Sequence, residues 1–330
     1  MKNKLFLLAP ISSLLLSACG ANQRPISDYI LTYEHDREDF TILQLTDLHL
    51  GEKDNLKTHF DFMDLTIHDA NPDFIVITGD LFTFASRSTA KSLFSHLDSC
   101  KIPWTVTFGN HDEQCYFSVE WLTGYLNKLN TKREKEKTSY CYFKDIQADK
   151  VHGNSNFAIN VMLEDDLYQQ LIIMDSNRYD FKSMYYDCFQ KDQINWYVDL
   201  IDYTSAQYQG SESLMFYHIP LPEINDALVK GEVIQTLGTE GEKACPPKED
   251  FHFFDVIKGL GHTKAMFFGH DHDNDYGRTY EDVDFVYGTK STDRVYYSEG
   301  KLGGLKIHID EYRERTYEMI HHTYEELEGK

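Results

Sequence analysis

The sequence predicts an α/β fold, and three observations lead to this class. Strand-like apolar runs rich in β-branched and aromatic residues alternate with segments of helical periodicity. The chain has 330 residues, of which 41% are hydrophobic, so it is long enough to bury a sizeable core. Clusters of Asp, Asn and His directly follow several strand-like runs. Because open α/β folds place their sites at strand ends, these clusters are the candidate functional residues.

The predicted strands are short apolar runs. They cover residues 40–45, 74–78, 104–108, 171–174, 214–217 and 265–268, with two more at 304–309 and 316–323 around a polar turn. Helices are predicted at residues 55–70, 89–97 and 190–201. The first carries apolar residues at three- and four-residue steps and stops at Asn71-Pro72, because the residue before a proline disfavours a helix.

Two stretches contain none of the candidate clusters. Residues 113–168 include the charged run 132–137, which is interpreted as a solvated loop or helix face. Residues 221–262 lie between two clusters, so we expect them to border the mouth of the site.

Five clusters in a fixed order carry the chemistry. They are Asp47-Leu48-His49, Gly79-Asp80, Gly109-Asn110-His111-Asp112, His218, and Gly269-His270-Asp271-His272. Carboxylate, amide and imidazole donors suit Mn, Fe or Zn in mixed nitrogen and oxygen sites. Two such ions neutralise phosphate oxygens and lower the pKa of a bridging water, which is what phosphate-ester hydrolysis requires. The clusters therefore predict a two-metal phosphoesterase.

The order D-x-H, G-D, G-N-H-D, H and G-H-x-H resembles the calcineurin-like metallophosphoesterase superfamily over roughly residues 40 to 310. The stretches Pro103-Trp104, His218-Ile219-Pro220 and 269–276 are similar to its purple-acid-phosphatase-like branch. The resemblance implies a four-layered sandwich of two mixed β-sheets flanked by helices. The strands at 304–309 and 316–323 would close the second sheet.

The resemblance also implies a dinuclear centre of two divalent or trivalent ions, Mn, Fe or Zn. The first ion would be held by Asp47, His49 and His272, the second by Asn110, His218 and His270, and Asp80 would bridge both. The spacing of two residues within Asp47/His49 and His270/His272 suits this role, because such side chains project to the same side of an extended segment.

His111 matches the catalytic histidine of the superfamily, which protonates the leaving-group oxygen or stabilises charge on the phosphoryl group. A purely structural role is the alternative. Asp112 is placed to hydrogen-bond His111 and fix its tautomer. Purple acid phosphatases proper have an iron-binding tyrosine three residues after the bridging aspartate, whereas this chain has Thr83, so a purple ferric centre is not expected.

Three functions remain open. The first is a metal-dependent hydrolase that cleaves phosphate esters with a metal-bridged hydroxide, with phosphomonoesters as the preferred substrate. The second is a phosphodiesterase acting on cyclic nucleotides or lipid headgroups. The third is a catalytically silent surface-binding lipoprotein on the same fold. Retention of Asp80 and His111 argues against the third, since a binding scaffold needs neither.

The N-terminus is predicted to be an export signal. Lys2 and Lys4 precede an apolar stretch, residues 5–16, that is too short to span a membrane. Leu16-Ser17-Ala18-Cys19 resembles a bacterial lipobox, which implies lipidation of Cys19; an ordinary cleaved signal or a buried helix is the alternative. Residues 1–18 would then be the signal peptide, 19–39 a lipidated tether and 40–330 the catalytic domain. The expected location is extracytoplasmic, anchored to the bacterial cell membrane.

The chain is strongly acidic, with a formal net charge of -22. Removing Lys2 and Lys4 with the signal leaves 30 basic and 54 acidic residues, a net charge of -24. Such a surface repels nucleic acid and favours small phosphate esters over polyanionic substrates. Besides Cys19 there are five cysteines, an odd number, so at least one thiol is unpaired within the chain; the pairing of the others stays open.

Overall fold

The structure is a computed structural model that describes residues 24–144, 151–180 and 184–328. Two main mixed sheets are flanked by helices, which confirms the predicted fold class. The strands are β1 (Ile30–His35), β2 (Phe40–Leu45), β3 (Phe74–Thr78), β4 (Trp104–Thr107), β5 (Phe157–Leu163), β6 (Asp166–Ile173), β7 (Tyr179–Asp180), β8 (Tyr185–Tyr186), β9 (Ser213–Phe216), β10 (Glu232–Val233), β11 (Thr263–Phe268), β12 (Gly277–Tyr280), β13 (Val283–Tyr287), β14 (Leu302–Ile309) and β15 (Arg315–His322). The helices are α1 (Leu56–Ala70), α2 (Arg87–Ser99), α3 (Val119–Glu136), α4 (Lys191–Gln207), α5 (Ile224–Lys230), α6 (Phe253–Leu260) and α7 (Glu325–Glu328).

One sheet has eight strands and the other has five. The larger has the order β1-β5-β6-β9-β11-β13-β12-β10, and the smaller has the order β15-β14-β2-β3-β4. Within the smaller sheet, β2, β3 and β4 are parallel, while β14 pairs antiparallel with β2. The two C-terminal strands therefore extend the sheet that contains the first metal-type cluster.

The layers follow from the two-residue periodicity of the strands. In β9, Leu214 and Phe216 belong to the core that the larger sheet shares with the smaller one. Met215 and the following Tyr217 point the other way, into a second core formed with α4 and α6. The smaller sheet is covered on its outer side by α1, which packs on β2, β14 and β15. The order of layers is thus helix, sheet, sheet, helix.

The ends of the helices carry residues that commonly begin or end helices. The hydroxyl of Ser86 accepts from the backbone N–H of Thr89 at the start of α2, as N-terminal caps do. Helix α1 ends as predicted, with Asn71 in the left-handed region at φ 46° directly before Pro72. Helix α3 includes most of the charged run at 132–137, so that run lies largely on a helix.

The N-terminal boundary differs from the predicted one. Residues Ile30–His35 form β1, which pairs in parallel with β5 at the edge of the larger sheet. This strand therefore belongs to the folded domain and not to the tether predicted at residues 19–39. The folded domain begins before residue 40. The proposed signal peptide and Cys19 lie outside the described residues. In the described part of the chain, no helix has the length and apolar character needed to cross a membrane.

Candidate metal centre

The candidate metal centre lies where the carboxyl ends of parallel strands from both sheets meet. Asp47, Asp80 and Asn110 follow β2, β3 and β4, which are neighbours in the smaller sheet. His218 and His270 follow β9 and β11, which are neighbours in the larger sheet. Because parallel strands end at the same edge of a sheet, five distant parts of the chain come together at this one place.

Three predicted ligands of the first ion form one buried group. The Nε2 atoms of His49 and His272 are 3.0 Å apart. Oδ1 of Asp47 lies 3.3 Å from Nε2 of His272 and 3.7 Å from Nε2 of His49. These donor atoms are positioned to hold a metal ion.

Asp80 lies between this group and the predicted ligands of the second ion. Its Oδ2 is 3.2 Å from Nε2 of His218 and 3.5 Å from Nε2 of His49, the arrangement that a bridging carboxylate requires. The ring of His270 lies 5.2 Å from the ring of His218. Asn110 is next to His111, whose backbone N–H donates to Oδ1 of Asp80 at 2.7 Å.

The hydrogen bonds around Asp47 and His218 leave one candidate ligand atom of each without a partner. Oδ2 of Asp47 accepts from the Thr46 hydroxyl and from the backbone N–H of His270, while Oδ1 has no hydrogen-bond partner. Nδ1 of His218 donates to the carbonyl of Thr78 at 2.8 Å, which directs Nε2, also without a partner, into the centre.

Among the predicted ligands, Oδ1 of Asn110 is the third buried polar atom that lacks a hydrogen-bond partner. Buried polar atoms are nearly always paired, so three unpaired ones on predicted ligands fit a metal centre. His272 is oriented in the same way as His218, because its Nδ1 lies 2.9 Å from the carbonyl of Tyr296.

The histidine pKa values reflect this buried, acidic environment. Burial lowers the pKa of His49 to about 4 and that of His270 to about 3, so both imidazoles are neutral, the form that binds metals. Burial also disfavours the charged form of His218, but the carboxylates of Asp80 and Asp47 outweigh it and raise its pKa to about 10. The pocket therefore attracts positive charge.

The backbone at the centre is strained. Asp47, His49, Asp80 and His270 have φ angles of 54°, 47°, 47° and 82°, in a region that residues other than glycine seldom adopt. Strain of this kind persists where the surroundings hold it in place and is concentrated at functional sites. Here the backbone N–H of His49 donates to the carbonyl of Asp80 at 2.8 Å, which ties the first two ligand loops together.

The structure corrects the role predicted for Asp112. Its two carboxylate oxygens accept from the backbone N–H groups of Phe82, at 3.0 Å, and Gly109, at 2.8 Å, and make no hydrogen bond to His111. The chain enters a 3-10 helix at this residue, so the side chain points back into the loop. His111 instead has its Nδ1 2.8 Å from Oε1 of Gln114. Asp112 thus joins two ligand loops, and Gln114 orients the predicted catalytic histidine.

Several contacts at the centre were not predicted. Thr83 stands where purple acid phosphatases have their tyrosine, and its hydroxyl lies 2.7 Å from Nδ1 of His49. Lys290, buried after β13, donates to the carbonyl of Asp47 at 2.7 Å, and burial lowers its pKa to about 8. Tyr296 stacks on His272 with ring centres 4.2 Å apart, and Tyr186 meets His270 edge-on at 4.4 Å. No sequence motif marks Lys290, Tyr296 or Tyr186, which come from segments without metal-type clusters, whereas Thr83 lies in the loop of the Gly79-Asp80 cluster.

Part of the 221–262 segment lies against the last cluster, where the sequence predicted it. The backbone N–H groups of Gly241 and Glu242 donate to Oδ1 of Asn274 at 2.9 and 3.0 Å. The backbone N–H of Cys245 donates to Asp271, which also accepts from the hydroxyl of Tyr287. This segment therefore fixes the loop that carries His270 and His272.

Comparison with known proteins identifies a family to which the chain is similar. The protein is 27% identical over 299 residues to "Probable inactive purple acid phosphatase 29" of Arabidopsis thaliana, which covers 80% of this chain and 74% of that protein. It is 26% identical over 333 residues to "Phosphatase DCR2" of Saccharomyces cerevisiae, which covers 90% of this chain and 55% of that one. A crystal structure of a dimetal phosphatase from Danio rerio superposes with a TM-score of 0.48 and 12% identity, over 85% of this chain and 98% of that chain. Residues 40–274 match the profile of the family described as calcineurin-like phosphoesterase. The chain belongs to this calcineurin-like phosphoesterase family.

Proposed function

We propose that this protein is a metal-dependent phosphomonoesterase. The observation that carries the proposal is the hydrogen bonding of the predicted ligand side chains. In Asp47 and His218 one polar atom is held by the protein, and the other faces the centre without a partner. Ligand side chains that are already fixed in position are expected in a metal centre that functions rather than in one that has lost its function. Seven residues, Asp47, His49, Asp80, Asn110, His218, His270 and His272, would hold two metal ions.

The chain supplies the groups that act beside the metals. When bound, the two ions would neutralise the phosphate oxygens and lower the pKa of a nearby water. His111 is half-buried at the edge of the centre, with its ring 5.0 Å from that of His49. Because Gln114 holds Nδ1, Nε2 is the atom that would give a proton to the leaving oxygen. The backbone N–H of His111 fixes Asp80 at the same time.

The alternative is a protein that keeps the centre without turnover, since relatives in Arabidopsis thaliana are named probable inactive purple acid phosphatases. The metal-removal experiment decides between the two. The purified protein, stripped with a chelator, should hydrolyse p-nitrophenyl phosphate only after Mn, Zn or Fe is restored, and faster than bis(p-nitrophenyl) phosphate. A preference for the diester would replace the proposal with a phosphodiesterase. No turnover by folded, metal-loaded protein would support the silent alternative.

We expect His111→Ala to reduce kcat by roughly 10²- to 10⁴-fold, the usual contribution of a general acid. The loss should be larger for an alkyl phosphate than for p-nitrophenyl phosphate, because nitrophenolate leaves without protonation. His68→Ala is the matched control, since His68 is 87% exposed on α1. Equal losses for both esters would show that His111 does not protonate the leaving group.

We further propose that the protein is anchored outside the cytoplasm through a lipid on Cys19. Support comes from the sequence at residues 1–19, and β1 begins at Ile30, which leaves a short connection to the folded domain. Expressed as the full chain in bacteria, the protein should be found in the membrane fraction. Cys19→Ala should move it to the soluble fraction or leave its signal uncleaved. Membrane retention of the variant would refute the anchor.

A further inference from the structure

A small cavity opens beside the metal centre, on the side of His49. Its volume is about 280 Å³, and His49 and Thr83 line its inner end. The ring of His111, the proposed proton donor, lies 5.0 Å from the ring of His49. The organic part of a phosphate ester whose leaving oxygen is protonated by His111 would therefore lie in or near this cavity.

Three exposed apolar side chains from three separate loops line the outer end of this cavity. Phe84, Tyr116 and Val295 are 57%, 67% and 52% exposed. They lie in the loops after β3, after the 3-10 helix at Asp112–Gln114, and between β13 and β14. Single exposed apolar residues are ordinary on a protein surface, whereas a cluster around a cavity indicates a binding surface. We call these three residues the apolar rim.

Two members of the apolar rim are held in a costly backbone conformation. Phe84 has a φ of 51° and Val295 a φ of 66°, in the left-handed region. This region is unfavourable for bulky residues and especially for β-branched ones. Because more than half of each residue is exposed, burial offsets only part of the strain. Strained residues are concentrated at functional sites, so the position of the two side chains beside the cavity indicates a role in binding.

Local hydrogen bonds hold the apolar rim in place. The backbone N–H of Thr83 donates to the carbonyl of Leu50, and that of Tyr116 donates to the carbonyl of Ala85 at 2.9 Å. Next to Val295, Nε of Arg294 lies 2.8 Å from Oδ2 of Asp54. The loops that carry the three side chains are therefore anchored to one another or to the ligand loops.

The cavity favours an uncharged, planar group of modest size. On the cavity wall, the positive charge of Arg294 is balanced by the negative charge of Asp54. The opposite charges of the adjacent Lys53 and Glu52 cancel in the same way. The volume lies just below the range for small-molecule sites, which is roughly 300 to 1,000 Å³. Aromatic side chains pair best with another aromatic ring, by stacking or edge-to-face contact.

We propose that the apolar rim binds the leaving group of the substrate, and that the substrate class is phosphomonoesters with a single aromatic ring system in the leaving group. This inference rests on the proposed phosphatase function, because it places the leaving group relative to His111. Phe84 and Tyr116 contact the ring, and Val295 closes the third side. The apolar rim thus selects the organic part, while the metal centre acts on the phosphate.

The test compares esters whose leaving groups are both simple primary alcohols. The metal-loaded protein should hydrolyse benzyl phosphate with a kcat/KM roughly tenfold above that for n-butyl phosphate, from the aromatic contacts. In Tyr116→Ala and in Phe84→Asn the benzyl-to-butyl ratio should fall towards one. Asn is chosen at position 84 because it tolerates the left-handed conformation. In Tyr312→Ala, which removes a 76% exposed tyrosine from the β14–β15 turn, the ratio should stay at the wild-type value.

Binding of inhibitors separates this inference from the proposed function. Benzylphosphonate and methylphosphonate cannot be hydrolysed, so calorimetric titration measures their binding affinity, and with it the contribution of the apolar rim, without catalysis. Tighter binding of benzylphosphonate, weakened in Tyr116→Ala, supports the apolar rim even if no ester is turned over. Hydrolysis of both esters with equal efficiency, or equal affinity for both phosphonates, would overturn the inference and leave the phosphatase function intact.

Discussion

Asp80→Ala is expected to abolish hydrolysis, with a loss of at least about a thousandfold in kcat. Oδ2 of Asp80 lies 3.2 Å from Nε2 of His218 and 3.5 Å from Nε2 of His49, so it lies between the residues proposed to hold the two ions. Its Oδ1 accepts a hydrogen bond from the backbone N–H of His111, and the substitution therefore also releases the loop that carries the proposed proton donor. Elemental analysis should show fewer than two metal ions per chain.

The control for this substitution is Asp255→Ala, which removes an exposed carboxylate of α6. It should retain wild-type turnover and metal content. Circular dichroism of Asp80→Ala must match that of the wild type, so that lost activity is not lost folding. Full metal content together with wild-type turnover in Asp80→Ala would rule out the bridging role of this residue.

Gly269→Ala should disrupt the centre without changing any ligand. A Cβ atom at this position would lie 2.0 Å from Oγ1 of Thr46 and 2.3 Å from Oδ2 of Asp47, far inside contact distance. Thr46 cannot move away easily, because it is buried and its hydroxyl is hydrogen-bonded to Asp47. We expect the free energy of unfolding to fall by about 1–3 kcal/mol, as for other overpacked cores. Turnover should fall more than a hundredfold, since small misplacements of catalytic groups are costly.

Gly124→Ala is the matched control for added volume. Gly124 lies within α3, and a Cβ atom there would meet nothing within 4 Å. Alanine in a helix is more favourable than glycine, so this variant should gain about 0.5–1 kcal/mol in the free energy of unfolding and keep full activity. If Gly269→Ala behaved in the same way, the close approach of the two loops would not matter for function. Chemical denaturation and steady-state kinetics on both variants provide the comparison.

The elements next to the clusters could be predicted from the sequence closely. Strands β2 and β3 have the predicted bounds, because apolar residues dominate each of them and a polar cluster follows closely. Strand β6 begins at Asp166, earlier than predicted, because it contains polar residues that are buried. Gln170 is one of them, and its amide donates to Asn160 and Thr204 inside the protein. Buried polar side chains whose hydrogen-bond partners lie far away in the sequence leave no local pattern. Strand segments that contain them therefore cannot be predicted from the hydrophobic pattern.

Strand β1 was missed for a different reason. Its residues, Ile-Leu-Thr-Tyr-Glu-His, mix apolar and polar types without a clear periodicity and were interpreted as part of a tether. Its partner β5 lies more than a hundred residues away, in a stretch without a cluster. Pairing over that distance cannot be inferred from a single sequence.

At the site, the sequence identified side chains by type and order but not their partners. The position of Asp112 beside His111 suggested a hydrogen bond, and the 3-10 turn directs the carboxylate to Phe82 and Gly109 instead. Lys290 reaches Asp47 from more than two hundred residues along the chain. The apolar rim was also invisible, because it depends on three loops that only the tertiary structure brings together.

The position of β14 has a consequence for how this chain folds. Residues Leu305–Ile309 pair with Phe40–Gln44, so β2 gains its second neighbour only from the far end of the chain. The N-terminal half therefore presents an open strand edge until the C-terminal strands are in place. Such long-range pairing slows folding and prolongs exposure to aggregation. The edge of β2 can therefore pair with other chains until β14 has joined the sheet.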